Sequence, residues 1–99
     1  MTDCTFTEDD ARWMRQALDL AHHSALLNEV PVGAVIVRDQ QLLGQGWNAP
    51  ISTCDSTHHA EIAAIRSAGE SVQNYRLPGS TLYVTLEPCT MCFGAMIHA

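Results

Sequence analysis

Positive charge is scarce in this 99-residue chain: five Lys or Arg stand against eleven Asp or Glu, leaving a formal charge of −6. Phosphate contacts need clustered basic side chains, so nothing in the composition marks a surface for nucleic acid. Long apolar runs are missing as well. No eighteen-residue window reads as a membrane span, and residues 1–6 (MTDCTF) lack the basic-then-apolar layout of a signal peptide. A cytoplasmic location without membrane partners is the expectation. Internal repeats, low-complexity tracts and linkers are absent too, so one domain over residues 1–99 is expected, near the lower end of single-core sizes. What is present, 46% hydrophobic and only 16% charged residues, is the composition of a folded globule.

Four cysteines are the chemically informative residues. Cys89 and Cys92 stand three apart directly after Pro88, a spacing that suits metal ligation in a reducing compartment better than a disulfide. Cys4 and Cys54 are expected to be free thiols. Alone, C-x-x-C also serves structural zinc sites and redox pairs. The upstream triplet His59-Ala60-Glu61 separates these cases. His59 supplies a third ligand, and zinc sites that perform chemistry keep three protein ligands and an open fourth position. His58 is a weaker candidate because its spacing to Glu61 does not fit. Glu61 is left free to move protons. Pro88 puts both cysteines at a helix N-terminus, where free N–H groups and the helix dipole favour thiolates. His59 opens another helix, so two helix N-termini are expected to converge from adjacent strand ends. Two thiolates and an imidazole acidify water less than three imidazoles do, which calls for a base close by. Glu61 fits that role, taking a proton from water and returning it to a ring nitrogen and a departing amine. The arrangement reads as a catalytic zinc hydrolase.

Along the chain, Thr7 followed by Glu8, Asp9 and Asp10 predicts a helix start. Trp13, Met14, Ala17, Leu18, Ala21 and Ala25 form its apolar face, and it ends near Asn28, before Pro31. His22 and His23 are read as solvated or capping residues. Residues 33–38 and 42–47 predict two strands of a hairpin around residues 39–41, the second carrying Gly44 and Gly46. Residues 48–57 read as a polar loop, 58–68 as a helix stopped by Gly69, 81–85 as a third strand, and 90–98 as a last helix. The order is α-β-β-α-β-α, and the strand-helix-strand crossover implies two parallel strands in the sheet. No terminating signal follows the last helix, and a three-stranded sheet is left with an open edge. The C-terminus therefore reads as cut, and further chain is expected. Tyr75 and His98 are expected in packing or dimer contacts, and Arg66 and Arg76 on the surface.

H-x-E…P-C-x-x-C is the signature of zinc nucleobase deaminases. Within them the chain resembles the bacterial tRNA-specific adenosine deaminases of the cytidine/deoxycytidylate deaminase superfamily. Residues 29–34 (EVPVGA), 46–48 (GWN), 59–62 (HAEI), 74–77 (NYRL) and 83–98 (YVTLEPCTMCFGAMIH) carry the resemblance. It implies an α/β fold: a three-layer α/β/α sandwich with a mixed sheet, here without the C-terminal strands and helix. It implies hydrolysis of the wobble adenosine of a tRNA anticodon to inosine by a homodimer with one Zn²⁺ per chain. His59, Cys89 and Cys92 would hold the metal and Glu61 would shuttle protons. Asn48 would hydrogen-bond the flipped base, with backbone contacts from Ala60. The loop at residues 52–56 departs from this picture in lacking a basic residue for phosphate. Two alternatives stand beside it. One is a deaminase of free guanine, cytosine or cytidine, which the acidic charge suits. The other is an inactive truncated fragment that needs a partner chain over its open edge.

Overall fold

Helix α1 (Glu8–Leu26) starts as the sequence predicts. The Thr7 hydroxyl accepts the N–H of Asp10 at 3.1 Å, and the Asp10 carboxylate accepts that of Thr7 at 3.0 Å. This reciprocal box satisfies two N–H groups that the helix itself cannot use. The computed structural model describes residues 6–86 and 88–99, so the Cys4 thiol lies outside the described residues. After α1 come β1 (Gly33–Arg38), β2 (Gln41–Trp47), α2 (Pro50–Thr53), α3 (Ala60–Val72), β3 (Thr81–Val84) and α4 (Thr90–His98). The expected α/β order holds, with one element added: α2, a single turn inside the loop at residues 48–57.

What ends α1 differs from expectation. Asn28 adopts a left-handed conformation (φ 59°), its N–H bonds the Ala25 carbonyl, and the N–H of Glu29 bonds that of Ser24. That is a Schellman turn, completed before Pro31 is reached. The buried stripe also shifts. Trp13, Ala17, Ala21 and Ser24 are buried, whereas Leu18 and Ala25 are exposed. Ser24 sits at a core position because its hydroxyl has buried partners, described below.

Strands β1 and β2 form the expected antiparallel hairpin, with an irregularity between Ile36 and Val37 that leaves Leu43 unpaired. Asp39 and Gln40 both have positive φ (52° and 65°), the mark of a two-residue type I′ turn. Gln41 belongs to the strand. Strand β1 is buried on both faces. Ala34 and Ile36 pack toward α3 with Ala60, Ala64 and Ala68. Val35 and Val37 pack toward α1 with Trp13 and Tyr83. Helix α4 lies against α3, giving the three layers α1, sheet, and α3 with α4.

The sheet order is β2-β1-β3, and both ladders among the described residues are antiparallel. The crossover through α3 does bring β2 and β3 into the same direction. The two parallel strands expected from it are therefore present in the sheet, but β1 lies between them, so they form no ladder with each other and the mixed pairing is not made among the described residues. The hairpin takes one edge of β1. Strand β3 takes the other, where Tyr83 reaches the Trp13 cluster. Consequently the strands that lead into the two site helices flank the central strand and are not neighbours.

Helix α3 runs through Gly69 to Val72, and the left-handed residue that closes it is Gln73 (φ 56°). A glycine inside a helix costs only about 1 kcal/mol relative to alanine. Packing of Ile65, Ala68 and Val72 on the core outweighs it. Gly44 and Gly46 explain how closely α3 approaches. A β-carbon on Gly46 would lie 2.6 Å from the Ala60 carbonyl oxygen, and one on Gly44 2.4 Å from the Ala68 nitrogen. Only a residue without a side chain fits there.

Candidate metal centre and cleft

His59 is the N-cap of α3, with extended backbone angles. The loop before it is held locally. The Asp55 carboxylate accepts the Thr57 N–H at 2.9 Å and the Thr57 hydroxyl at 2.7 Å, and lies 3.6 Å from the Arg66 guanidinium on α3. These partners, the Thr57 hydroxyl foremost, hold the Asp55 carboxyl below its usual range. Cys89 is likewise the N-cap of α4, one residue after Pro88, and Cys92 follows in the first turn. Cys92 is fully buried and Cys89 exposed.

The Nδ1 atom of His59 lies 3.5 Å from the sulfur of Cys89 and 3.5 Å from that of Cys92. All three donor atoms fall within 4.8 Å of one another. Zinc–sulfur bonds of about 2.3 Å and zinc–nitrogen bonds of about 2.0–2.1 Å span an N···S edge of about 3.5 Å in a tetrahedron. The three donors therefore fit such an ion. Among the described residues no fourth His, Cys, Asp or Glu joins the group, and the imidazole in it belongs to His59, not His58. The two thiols differ in setting. The Cys92 backbone N–H, foremost, holds the Cys89 thiol below its ordinary value. Burial pushes Cys92 up to about 12, with Cys89 and Glu61 adding to the effect.

A cleft of about 340 Å³ opens beside these donors. Asn48, His59, Glu61 and Cys89 contribute its polar side, and Val30, Val32, Pro50 and Leu86 its apolar side. Glu61 is buried in the first turn of α3, and Asn48 is buried just after β2. Thus five of the six residues singled out in the sequence come together around the donors and the cleft. The Ala60 side chain does not line the cleft. It packs in the core against the sheet, and only the residue's backbone N–H, in the unpaired first turn of the helix, is suited to an outside partner.

Two polar residues near the cleft, Glu29 and Ser24, were given no role in the sequence reading. The Glu29 carboxylate accepts the N–H of Ile51 at 3.3 Å and that of Ser52 at 2.6 Å, and also the Ser52 hydroxyl. These bonds, that of the hydroxyl first, hold its carboxyl below the usual range. The Ser24 hydroxyl lies 2.5 Å from the Asn48 carbonyl oxygen and 3.1 Å from that of Val30. An asparagine followed by an acid at a helix end was the available signal. His23, read as solvated or capping, is exposed but meets Trp47 edge-on at 4.6 Å.

An α/β domain with an open, three-donor metal centre at two helix N-termini is thus defined. The family model described as "Cytidine and deoxycytidylate deaminase zinc-binding region" matches residues 7–99. The chain belongs to this family, and its His/Cys/Cys group has the donor atoms and spacing to hold a metal ion. A tRNA-specific adenosine deaminase of Haemophilus influenzae is 54% identical over 94 residues, covering 94% of this chain and 54% of the relative. A solved structure from a study of A-to-I editing by tRNA:A34 deaminases superposes with a TM-score of 0.84 at 46% identity, over 87% of this chain and 66% of that one. A guanine deaminase from Bacillus subtilis also gives 0.84, at 36% identity, over 88% of this chain and 56% of that one. The chain spans about half the length of the curated relatives it matches.

Proposed function

We propose that residues 1–99 carry the zinc-bearing part of a nucleoside deaminase domain that hydrolyses the wobble adenosine of a tRNA anticodon to inosine. One observation carries the reading: a three-donor group without a fourth side chain among the described residues opens onto a cleft that also holds Glu61 and Asn48. The name of the Haemophilus relative supports tRNA as the substrate.

His59, Cys89 and Cys92 would hold one Zn²⁺, and two thiolates with one neutral imidazole balance its charge. When bound, zinc supplies the Lewis acidity that makes water nucleophilic near neutral pH. Glu61 accepts one proton of the attacking water and delivers it to the purine ring nitrogen, then carries the second, from the newly formed hydroxyl, to the amine as the C–N bond breaks and ammonia leaves. Water and adenosine give inosine and ammonia. The Asn48 amide, able to donate and accept, orients the flipped base by its edge. Apolar Val30, Val32, Pro50 and Leu86 limit water around it. Backbone contact from the Ala60 N–H completes the set.

Two finer statements belong to the same reading. The protein works in the cytoplasm, where thiolate ligands stay reduced. It acts as a homodimer, a state favoured by exposed Leu86, Phe93 and Ile97 near and along α4.

A second reading, deamination of a free base such as guanine, is favoured by the charge of −6, which repels a polyanion. Zinc-loaded protein incubated separately with tRNA and with adenine, guanine, cytosine and cytidine distinguishes the two. Inosine in the digested tRNA is the expected result. Ammonia from a free base with no inosine in tRNA would overturn the first reading in favour of the second.

A further inference from the structure

We infer that Glu29 is a positioning residue for the base-facing wall of the cleft, clamping α2 and, with Ser24, fixing Asn48. The inference rests on the deaminase reading and deepens it.

The Schellman turn at Asn28 places Glu29 inward, where it is only 6% exposed. Its carboxylate accepts from Ile51 N–H, Ser52 N–H and the Ser52 hydroxyl. Helix α2 has no side-chain cap of its own N-cap residue, Ala49. Its first N–H groups, which have no partners within the turn, are satisfied by an acid more than twenty residues upstream. Asn48 stands two residues before α2. Its N–H donates to the Val32 carbonyl at 3.0 Å, its carbonyl meets the Ser24 hydroxyl, and the next N–H, of Ala49, donates to His58 at 3.0 Å. The backbone is therefore held on both sides of the residue whose amide faces the cleft.

Glu29 does not line the cleft, so it cannot touch a base there. Its effect passes through Asn48 and Pro50, which do. All three of its partners are donors, so the site requires a group that only accepts. Glutamine has one accepting oxygen and would turn an NH₂ toward a backbone N–H.

The test uses the zinc-loaded chain as wild type, Glu29→Gln, Ser52→Ala, Asn48→Ala and the Glu29→Gln/Asn48→Ala double variant. Three quantities are read: zinc per chain, the Asn48 side-chain NH₂ signals in ¹⁵N–¹H spectra, and the Kd for adenosine. Glu29→Gln should keep its zinc, shift or broaden the Asn48 signals, and weaken adenosine binding about tenfold, the equivalent of about one hydrogen bond. The double variant should bind no worse than Asn48→Ala alone, because Glu29 acts through that residue. Ser52→Ala removes one donor of three, and should shift the same signals less while leaving the fold intact. Unchanged Asn48 signals in both Glu29→Gln and Ser52→Ala would overturn the inference, as would losses that simply multiply in the double variant. Failure of wild type to bind adenosine would instead count against the deaminase reading, and the Asn48 signals would still decide the clamp.

Discussion

The hydroxyl of Tyr83 on β3 donates to the carboxylate of Asp10 in the first turn of α1 at 2.5 Å. This bond spans the layer between α1 and the sheet and links the N-terminal capping box to the last strand. Burial first, then the Asp10 carboxylate, pushes Tyr83 up to about 12. The Thr7 N–H first, then the Tyr83 hydroxyl, lowers Asp10. Tyr83 thus contributes stability that is complete below its unfolded pKa of about 10 and is lost as pH rises toward 12. Asp10 contributes stability present above about 3.9 and lost as pH falls through its lower folded value. Tyr83→Phe should lower the Tm by about 4–8 °C at neutral pH and flatten the loss of stability between pH 10 and 12. Thermal melts across that range, compared with wild type, check both.

Glu61→Gln keeps the shape of the cleft and all three donors while removing the carboxylate to which the proposed mechanism assigns proton transfer. Zinc content should stay at one per chain, and turnover should fall by at least about a hundredfold. Metal analysis and an inosine assay on one preparation are sufficient. Unchanged turnover would remove Glu61 from its role.

Cys92 is the one donor of the three that is fully buried. Cys92→Ser should abolish tight zinc binding, since a neutral hydroxyl replaces a thiolate. In wild type, zinc affinity should fall as pH is lowered, because thiol protons compete with the ion for the same sulfurs. Competition with a chromogenic chelator between pH 6 and 8 measures the slope.

Gly46 faces the Ala60 carbonyl, one residue from the His59 ligand position. Gly46→Ala forces α3 away from β2, an overpacking cost of about 1–3 kcal/mol. Zinc affinity should drop together with stability, because the start of α3 carries the imidazole. Denaturant melts and zinc titration should move in parallel, whereas a Gly94→Ala control, with open space at its β-carbon, should change neither by much.

Much of the fold follows from local patterns. Thr7 and its acids, the buried run at Gly33–Arg38, and the span Thr90–His98 each carry their own signal, and each is found where expected. The grouping of His59, Cys89 and Cys92 was readable because fixed spacing after Pro88 combines with ligand chemistry. What could not be read depends on distant partners. Helix α2 exists because Glu29 satisfies its first N–H groups, and Ser24 is buried because the Asn48 carbonyl meets it. Neither contact leaves a periodic trace. Gly69 misled because a local stop signal was overridden by packing on both sides of it, and the expectation of adjacent strand ends failed because a crossover fixes strand direction without fixing which strand is the neighbour.

Because β1 separates the two strands that lead to the donors, His59 and Cys89 are joined through a stretch of 30 residues folded across the sheet. An ion seated between them acts as a removable clip on that stretch, closing it much as a covalent bridge would. Zinc starvation should therefore expose the segment between α3 and α4 to proteases, coupling the lifetime of the protein to the metal supply of its compartment.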